Sequence, residues 1–136
     1  DVRFTPVPAA FGGPWDAWAT AYYAADQLGV AKRSHGAVFK ALHEDRSLPM
    51  QNVSADELAT FYKQYGVTEA AYVAALKSEA VQAKVSAARD FARRTRVPGT
   101  PSLVINGQFL VKGNSAEDQL RIASALIAQA RSGKAR

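Results

Sequence analysis

A chain of 136 residues, 48% of them hydrophobic and 21% charged, has enough apolar content for one domain with a real core and is too rich in it to be disordered. No stretch approaches the roughly 18 consecutive apolar residues a membrane-spanning helix needs, and the absence of cysteine excludes disulfides, thiolate metal sites and thiol catalysis within these residues. Lys and Arg number 17 against 12 Asp and Glu, a net charge of +5, but the cations are spread along the helices and do not argue for nucleic acid.

The chain opens with Val2 and Phe4 alternating with polar neighbours before Pro6 and Pro8 intervene. This pattern predicts a short strand over Val2–Val7, then an extended loop through Gly12-Gly13-Pro14. Pro14 suits a first helical turn, and Trp15, Trp18, Tyr22, Ala25 and Leu28 recur at three- and four-residue spacing until Gly29 stops the helix. Trp18 and Tyr22 are expected in the core, with Trp15 and Tyr23 partly exposed. A second helix is expected from about Lys32 to Asp45, with Val38, Leu42 and Phe39 inward, broken at Ser47-Leu48-Pro49-Met50.

Ser54-Ala55-Asp56-Glu57 reads as a capping box, the serine accepting from the backbone and the glutamate reaching back. It opens a short helix through Leu58, Phe61 and Tyr62, ended by Gly66. Thr68 caps a further helix that runs, with or without a kink, to about Thr95. Its apolar line is Val73, Leu76, Val81, Val85, Ala88 and Ala92, with Phe91 alongside. Arg89, Arg93 and Arg96 share one face in its last turns, where cations complement the helix dipole.

Val97-Pro98-Gly99-Thr100-Pro101-Ser102-Leu103-Val104-Ile105-Asn106-Gly107-Gln108-Phe109 predicts a Gly/Pro corner, a strand over Ser102–Ile105, an Asn-Gly turn and a second strand. Proline at the start of a strand cannot donate to the ladder, and a cis Thr100–Pro101 bond would fit that corner. Gly113-Asn114-Ser115 then leads into a last helix capped by Ser115 or Asn114. Leu120, Ala123, Leu126 and Ile127 form its expected buried stripe, and residues 132–136 form a tail. His35 and His43 lie two turns apart on one helix, too far for a shared metal. The paired carboxylates Glu44-Asp45 and Asp56-Glu57 sit at helix ends, where capping accounts for them.

Three blocks of sequence resemble the DsbA family of thiol–disulfide oxidoreductases, and together they span nearly the whole chain. The first is Phe11-Gly12-Gly13 with Trp15-Asp16-Ala17-Trp18 and Ala21-Tyr22-Tyr23-Ala24-Ala25. The second is Leu28-Gly29-Val30 with Phe39-Lys40-Ala41-Leu42-His43, and the third is Arg96 through Gly107. The resemblance implies an α/β, thioredoxin-like fold with a helical insertion, incomplete in this chain. Residues 1–13 and 96–131 would form the thioredoxin-like portion and residues 14–95 the inserted helical domain.

In that family a Cys-x-x-Cys pair opens a helix in the first part of the domain. The resemblance sets Asp1 after that helix, so the catalytic cysteines and a strand lying between Val2–Val7 and Ser102–Ile105 are expected outside this chain. A chain lacking them is expected not to be self-sufficient. The resemblance also implies that Gly99, Thr100 and Pro101 form the substrate-facing loop, that no catalytic residue, metal or cofactor belongs to this chain, and that the setting is periplasmic. The implied partners are reduced or unfolded exported polypeptides and a membrane redox partner that reoxidises the enzyme. Oligomeric state stays open. Two other readings share the fold: a kappa-class glutathione transferase or hydroxychromene isomerase, with Ser in place of the first Cys, and a cysteine-free peptide-binding relative.

Overall fold

The structure, a computed structural model, describes residues 2–133. It has two units, one ending at Arg89 and one opening at Asp90. The first unit holds helices α1 (Pro14–Gln27), α2 (Ala31–His43), α3 (Ala55–Tyr62), α4 (Glu69–Lys77) and most of α5 (Glu79–Thr95); a 3-10 turn, Lys63–Tyr65, follows α3. The second holds the end of α5, strands β1 (Val104–Ile105) and β2 (Phe109–Leu110), and α6 (Ala116–Arg131).

The helix starts follow from local chemistry. Pro14 occupies the first turn of α1, where its missing N–H leaves no bond unmade. Ser54 and Glu57 form both halves of the capping box on α3, Thr68 accepts from the Ala71 N–H at the start of α4, and Ser115 accepts from Asp118 on α6. The long helix after Thr68 is two helices because Ser78 leaves the helical region at ψ 146°. Its hydroxyl accepts from the Val81 N–H at 3.2 Å and thereby caps the second piece.

Small residues on α1 let its neighbours approach closely. Ala21, Ala24 and Ala25 are buried with Val30, Leu58, Tyr62, Val67, Tyr72 and Ala75 in one cluster, against which Trp18, Tyr22, Val38 and Leu76 pack. At its centre the rings of Tyr62 and Tyr72 stack 4.6 Å apart at 18°. Aromatic pairs of this kind contribute about 0.5–1.5 kcal/mol beyond the area they bury. Ser34, fully buried, satisfies its hydroxyl by donating to the Val30 carbonyl at 2.7 Å. A smaller cluster joins Ala10, Ala19 and Val85 with Tyr23 alongside.

Five expectations are corrected. No strand forms over Val2–Val7: β1 and β2 pair only with each other, and a strand without a ladder partner leaves its backbone to water. Instead Phe4, Thr5, Pro6 and Val7 line a groove with Tyr22, Tyr23 and Lys84, and Phe4 remains exposed. Phe39 is exposed rather than inward, because it stands about 100° around α2 from Val38. Leu120 is exposed too; a hairpin of two paired residues per strand is too small to cover the whole stripe of α6. Arg96 lies beyond α5 with φ 57°, so it closes the helix rather than extending the arginine face. The strand expected over Ser102–Ile105 is paired only at Val104–Ile105. Of the expected tail, Ser132 and Gly133 form a turn after α6 and residues 134–136 lie outside the described residues.

Candidate functional site

The second unit presents the loop on which the sequence converged. Helix α5 ends when Arg96 turns left-handed, and the Val97 N–H bonds to the Ala92 carbonyl at 3.1 Å while the Arg96 N–H bonds to Arg93 at 3.3 Å. These bonds satisfy carbonyls that the last helical turn would otherwise leave open. The chain then passes through Val97-Pro98-Gly99-Thr100-Pro101-Ser102, in which the Thr100–Pro101 peptide is cis. The Ser102 hydroxyl donates to the Gly99 carbonyl at 2.6 Å, a side-chain bond that ties the two ends of the corner together.

Gly99 is half-buried, and Thr100 and Pro101 are exposed. Among the described residues no hydrogen bond engages the Thr100 backbone. Its N–H and C=O are left unpaired among these residues.

The hairpin that follows fixes the loop's far end. Val104 pairs with Leu110 and Ile105 with Phe109, and the Val111 N–H extends the same register to the Leu103 carbonyl at 2.9 Å. The turn places Asn106 at φ 54° and Gly107 at φ 67°, the two positive values that an Asn-Gly hairpin turn demands. Gln108 joins them as a third loop residue, its N–H bonded to the Ile105 carbonyl at 3.1 Å. Helix α6 packs on β1. Its entry is tight: the Asn114 N–H donates to the Asp118 carboxylate at 3.0 Å, and the Arg121 guanidinium beside Asp118, with that N–H, holds its carboxyl below the usual range.

The first unit carries the aromatic residues singled out in the sequence. Trp18 packs against the core and its indole N–H donates to the Met50 carbonyl at 3.1 Å, pinning the loop before α3. Tyr22 is half-buried, as is Tyr23, and burial pushes both phenols up. Trp15 is exposed, tilted against Phe11 at 5.2 Å. In the first turn of α1, Asp16 accepts from the Gly12 N–H at 3.0 Å and from Arg89 at 2.8 Å.

His35 and His43 do not meet; each packs on Phe39, at 4.8 and 5.7 Å between ring centroids. Sequence reasoning passed over Tyr72, the largest fully buried side chain, because the helical line was drawn through Val73 and Leu76 one position away. The spacing of Tyr72 to Ala75 and of both to Thr68 could have marked that second face.

A family model of the DSBA-like thioredoxin domain matches residues 1–125. Among curated proteins, the thiol:disulfide interchange protein DsbA of Pseudomonas syringae pv. tomato is 34% identical over 131 residues, covering 93% of this chain and 59% of that protein. The DsbA of Azotobacter vinelandii is 31% identical over 137 residues, covering 98% of this chain and 63% of that protein. The chain thus spans about three fifths of the length of these relatives. Among solved structures, the oxidoreductase DsbA of Xylella fastidiosa superposes with a TM-score of 0.94 at 52% identity, covering 97% of this chain and 71% of that one. No helix among the described residues is long and apolar enough to cross a membrane.

Proposed function

This chain belongs to the DSBA-like thioredoxin domain family, with its thioredoxin-like fold and helical insertion, and on that premise we propose that it is part of a thiol:disulfide oxidoreductase that introduces disulfides into exported proteins in the periplasm. The observation that carries this reading is the 52% identity to the Xylella fastidiosa oxidoreductase over 97% of this chain. In the reaction, a substrate thiolate attacks one sulfur of the enzyme disulfide and expels the other as a thiolate. A second substrate thiolate then attacks the mixed disulfide, releasing an oxidised substrate and a reduced enzyme dithiol. The dithiol passes its two electrons to a membrane redox partner. Both enzyme sulfurs come from outside these 136 residues, which contain no cysteine.

The chain's own contribution is recognition. Gly99, Thr100 and Pro101 form the substrate loop, and the free N–H and C=O of Thr100 pair with an extended substrate backbone as a strand edge would. Residues 14–95 act as the helical cap, while residues 1–13 and 96–131 belong to the thioredoxin-like portion.

The test is an oxidation assay of the whole natural protein with a reduced, unfolded substrate protein and glutathione disulfide as terminal oxidant. The expected result is catalytic regain of substrate disulfides and a two-dalton mass decrease of the enzyme on oxidation, as its dithiol loses two hydrogens. Glutathione conjugation without disulfide transfer, or binding of unfolded chains with no redox change, would overturn the reading.

A further inference from the structure

Helix α2 has a face that the rest of the described chain leaves bare. Lys32, His35, Gly36, Phe39, Lys40 and His43 are all exposed and fall on one side at three- and four-residue spacing. The opposite side, with Ala31, Ser34 and Ala41, is buried. Phe39 is 51% exposed even though an imidazole stands on either side of it.

Gly36 is the informative neighbour. It lies inside the helix, where glycine is destabilising relative to alanine. A Cβ there would meet nothing within 4 Å, and its φ is not positive. Neither a close approach within the chain nor the backbone conformation requires it. One turn from Phe39, it leaves a notch the width of a side chain.

Charge decides what the notch can receive. From Ala31 to His43 the helix contains Lys32, Arg33 and Lys40 and no carboxylate. Arg33 is engaged, its Nη2 donating to the Tyr65 carbonyl at 3.3 Å with the guanidinium 5.8 Å from the Tyr65 ring. Lys32 and Lys40 form no ion pair among the described residues.

We propose that this face docks an acidic polypeptide segment of another protein, one apolar side chain seated in the Gly36–Phe39 notch and carboxylates paired with Lys32 and Lys40. The contact goes beyond the disulfide chemistry, in which α2 has no step. A second copy of the chain fits poorly, because isologous pairing would set these cations against themselves. An anionic membrane would call for a wider apolar face than one phenylalanine.

The test titrates the intact protein with a labelled peptide of alternating Glu and Leu, read by fluorescence anisotropy, beside peptides in which Lys or Ser replaces Glu. The Glu peptide is expected to bind at least about tenfold more tightly than the Lys peptide, the difference shrinking as salt rises. Phe39→Ala and the Lys32→Glu/Lys40→Glu double variant each should weaken it about tenfold or more. All three positions are exposed, and an unchanged circular dichroism spectrum verifies folding. Equal binding of the three peptides, or wild-type affinity in Phe39→Ala, overturns the proposal. So does self-association that Phe39→Ala abolishes in sedimentation velocity, or Phe39-dependent binding to phosphatidylglycerol vesicles without peptide binding.

Discussion

The phenol of Tyr72 donates a hydrogen bond of 3.1 Å to the backbone carbonyl of Ala21, 51 positions earlier in the chain. This bond pins α4 to α1 at the centre of the first unit's core, where Tyr72 is fully buried. Tyr72→Phe keeps the ring and its stack on Tyr62 but deletes the bond, so the expected loss is about 1 kcal/mol. Tyr72→Ala also opens a cavity, with an expected loss of about 3–5 kcal/mol. Denaturant unfolding of both variants checks the ordering.

The same burial pushes the Tyr72 and Tyr62 phenols up from 10.0. For a group whose folded pKa is raised, the folded state keeps its proton while the unfolded state loses it. The stability contribution is therefore complete below pH 10 and declines as pH climbs above it, by roughly 1.4 kcal/mol per pH unit for each tyrosine still protonated in the fold. Thermal melts from pH 8 to 12 should be flat in this respect up to about pH 10 and fall beyond it. Phenolate absorbance from these two residues should appear with unfolding and not before, and Tyr72→Phe should shallow the decline.

Two glycines predict opposite responses to one added methyl. At Gly36 a Cβ meets nothing, so Gly36→Ala should stabilise the protein by about 0.5–1 kcal/mol through helix propensity. At Gly113 a Cβ would stand 2.9 Å from the backbone nitrogen of Gln119. Gly113→Ala should destabilise by about 1–3 kcal/mol, because the first turn of α6 must shift. Paired chemical melts would decide this; equal effects at both sites would contradict the packing assigned to α6.

Asp16 serves two partners, the Gly12 N–H and Arg89. The ion pair is partly exposed, with side chains 37% and 32% accessible, so Arg89→Met should cost no more than about 1 kcal/mol and less at high salt. Asp16→Ala should cost more, since it also removes the carboxylate from the first turn of α1 and frees the Gly12 N–H. A stability series in rising salt separates the two: the Asp16→Ala deficit should persist where the Arg89→Met deficit has faded.

What the sequence made legible was local. Ser54 with Glu57, Thr68, Ser115, and Asn106 with Gly107 each carry their own geometry within four residues, and each forms the cap or turn expected of it. The cis Thr100–Pro101 bond was legible for the same reason, since proline fixes its own φ and is the residue before which cis peptides occur. Residues whose state depends on a distant partner were misread. Val2–Val7 has strand alternation, but pairing is a property of two segments, and none of the described residues supplies the other. Phe39 and Leu120 satisfy a helical period loosely enough to be drawn inward, and only the neighbouring elements decide which edge of the stripe is covered. Tyr72 was overlooked because its burial depends on the small residues of α1.

The substrate role given to Thr100 rests on its backbone, and this makes a specific claim about side chains. If the free N–H and C=O of Thr100 do the pairing, Thr100→Ala should leave kcat/KM for a reduced peptide substrate within about threefold of wild type in the whole natural protein. Ser102→Ala removes the 2.6 Å bond to the Gly99 carbonyl, so the corner loses its tie. The expected fall in kcat/KM is about tenfold with global stability lowered by no more than about 1.5 kcal/mol. A substrate peptide N-methylated at the residue facing Thr100 should lose about tenfold in the same assay, since it can no longer donate. Were Thr100→Ala as damaging as Ser102→Ala, and the methylated peptide as good as its parent, recognition would run through the threonine hydroxyl or methyl, and strand-like pairing at this loop would have to be given up.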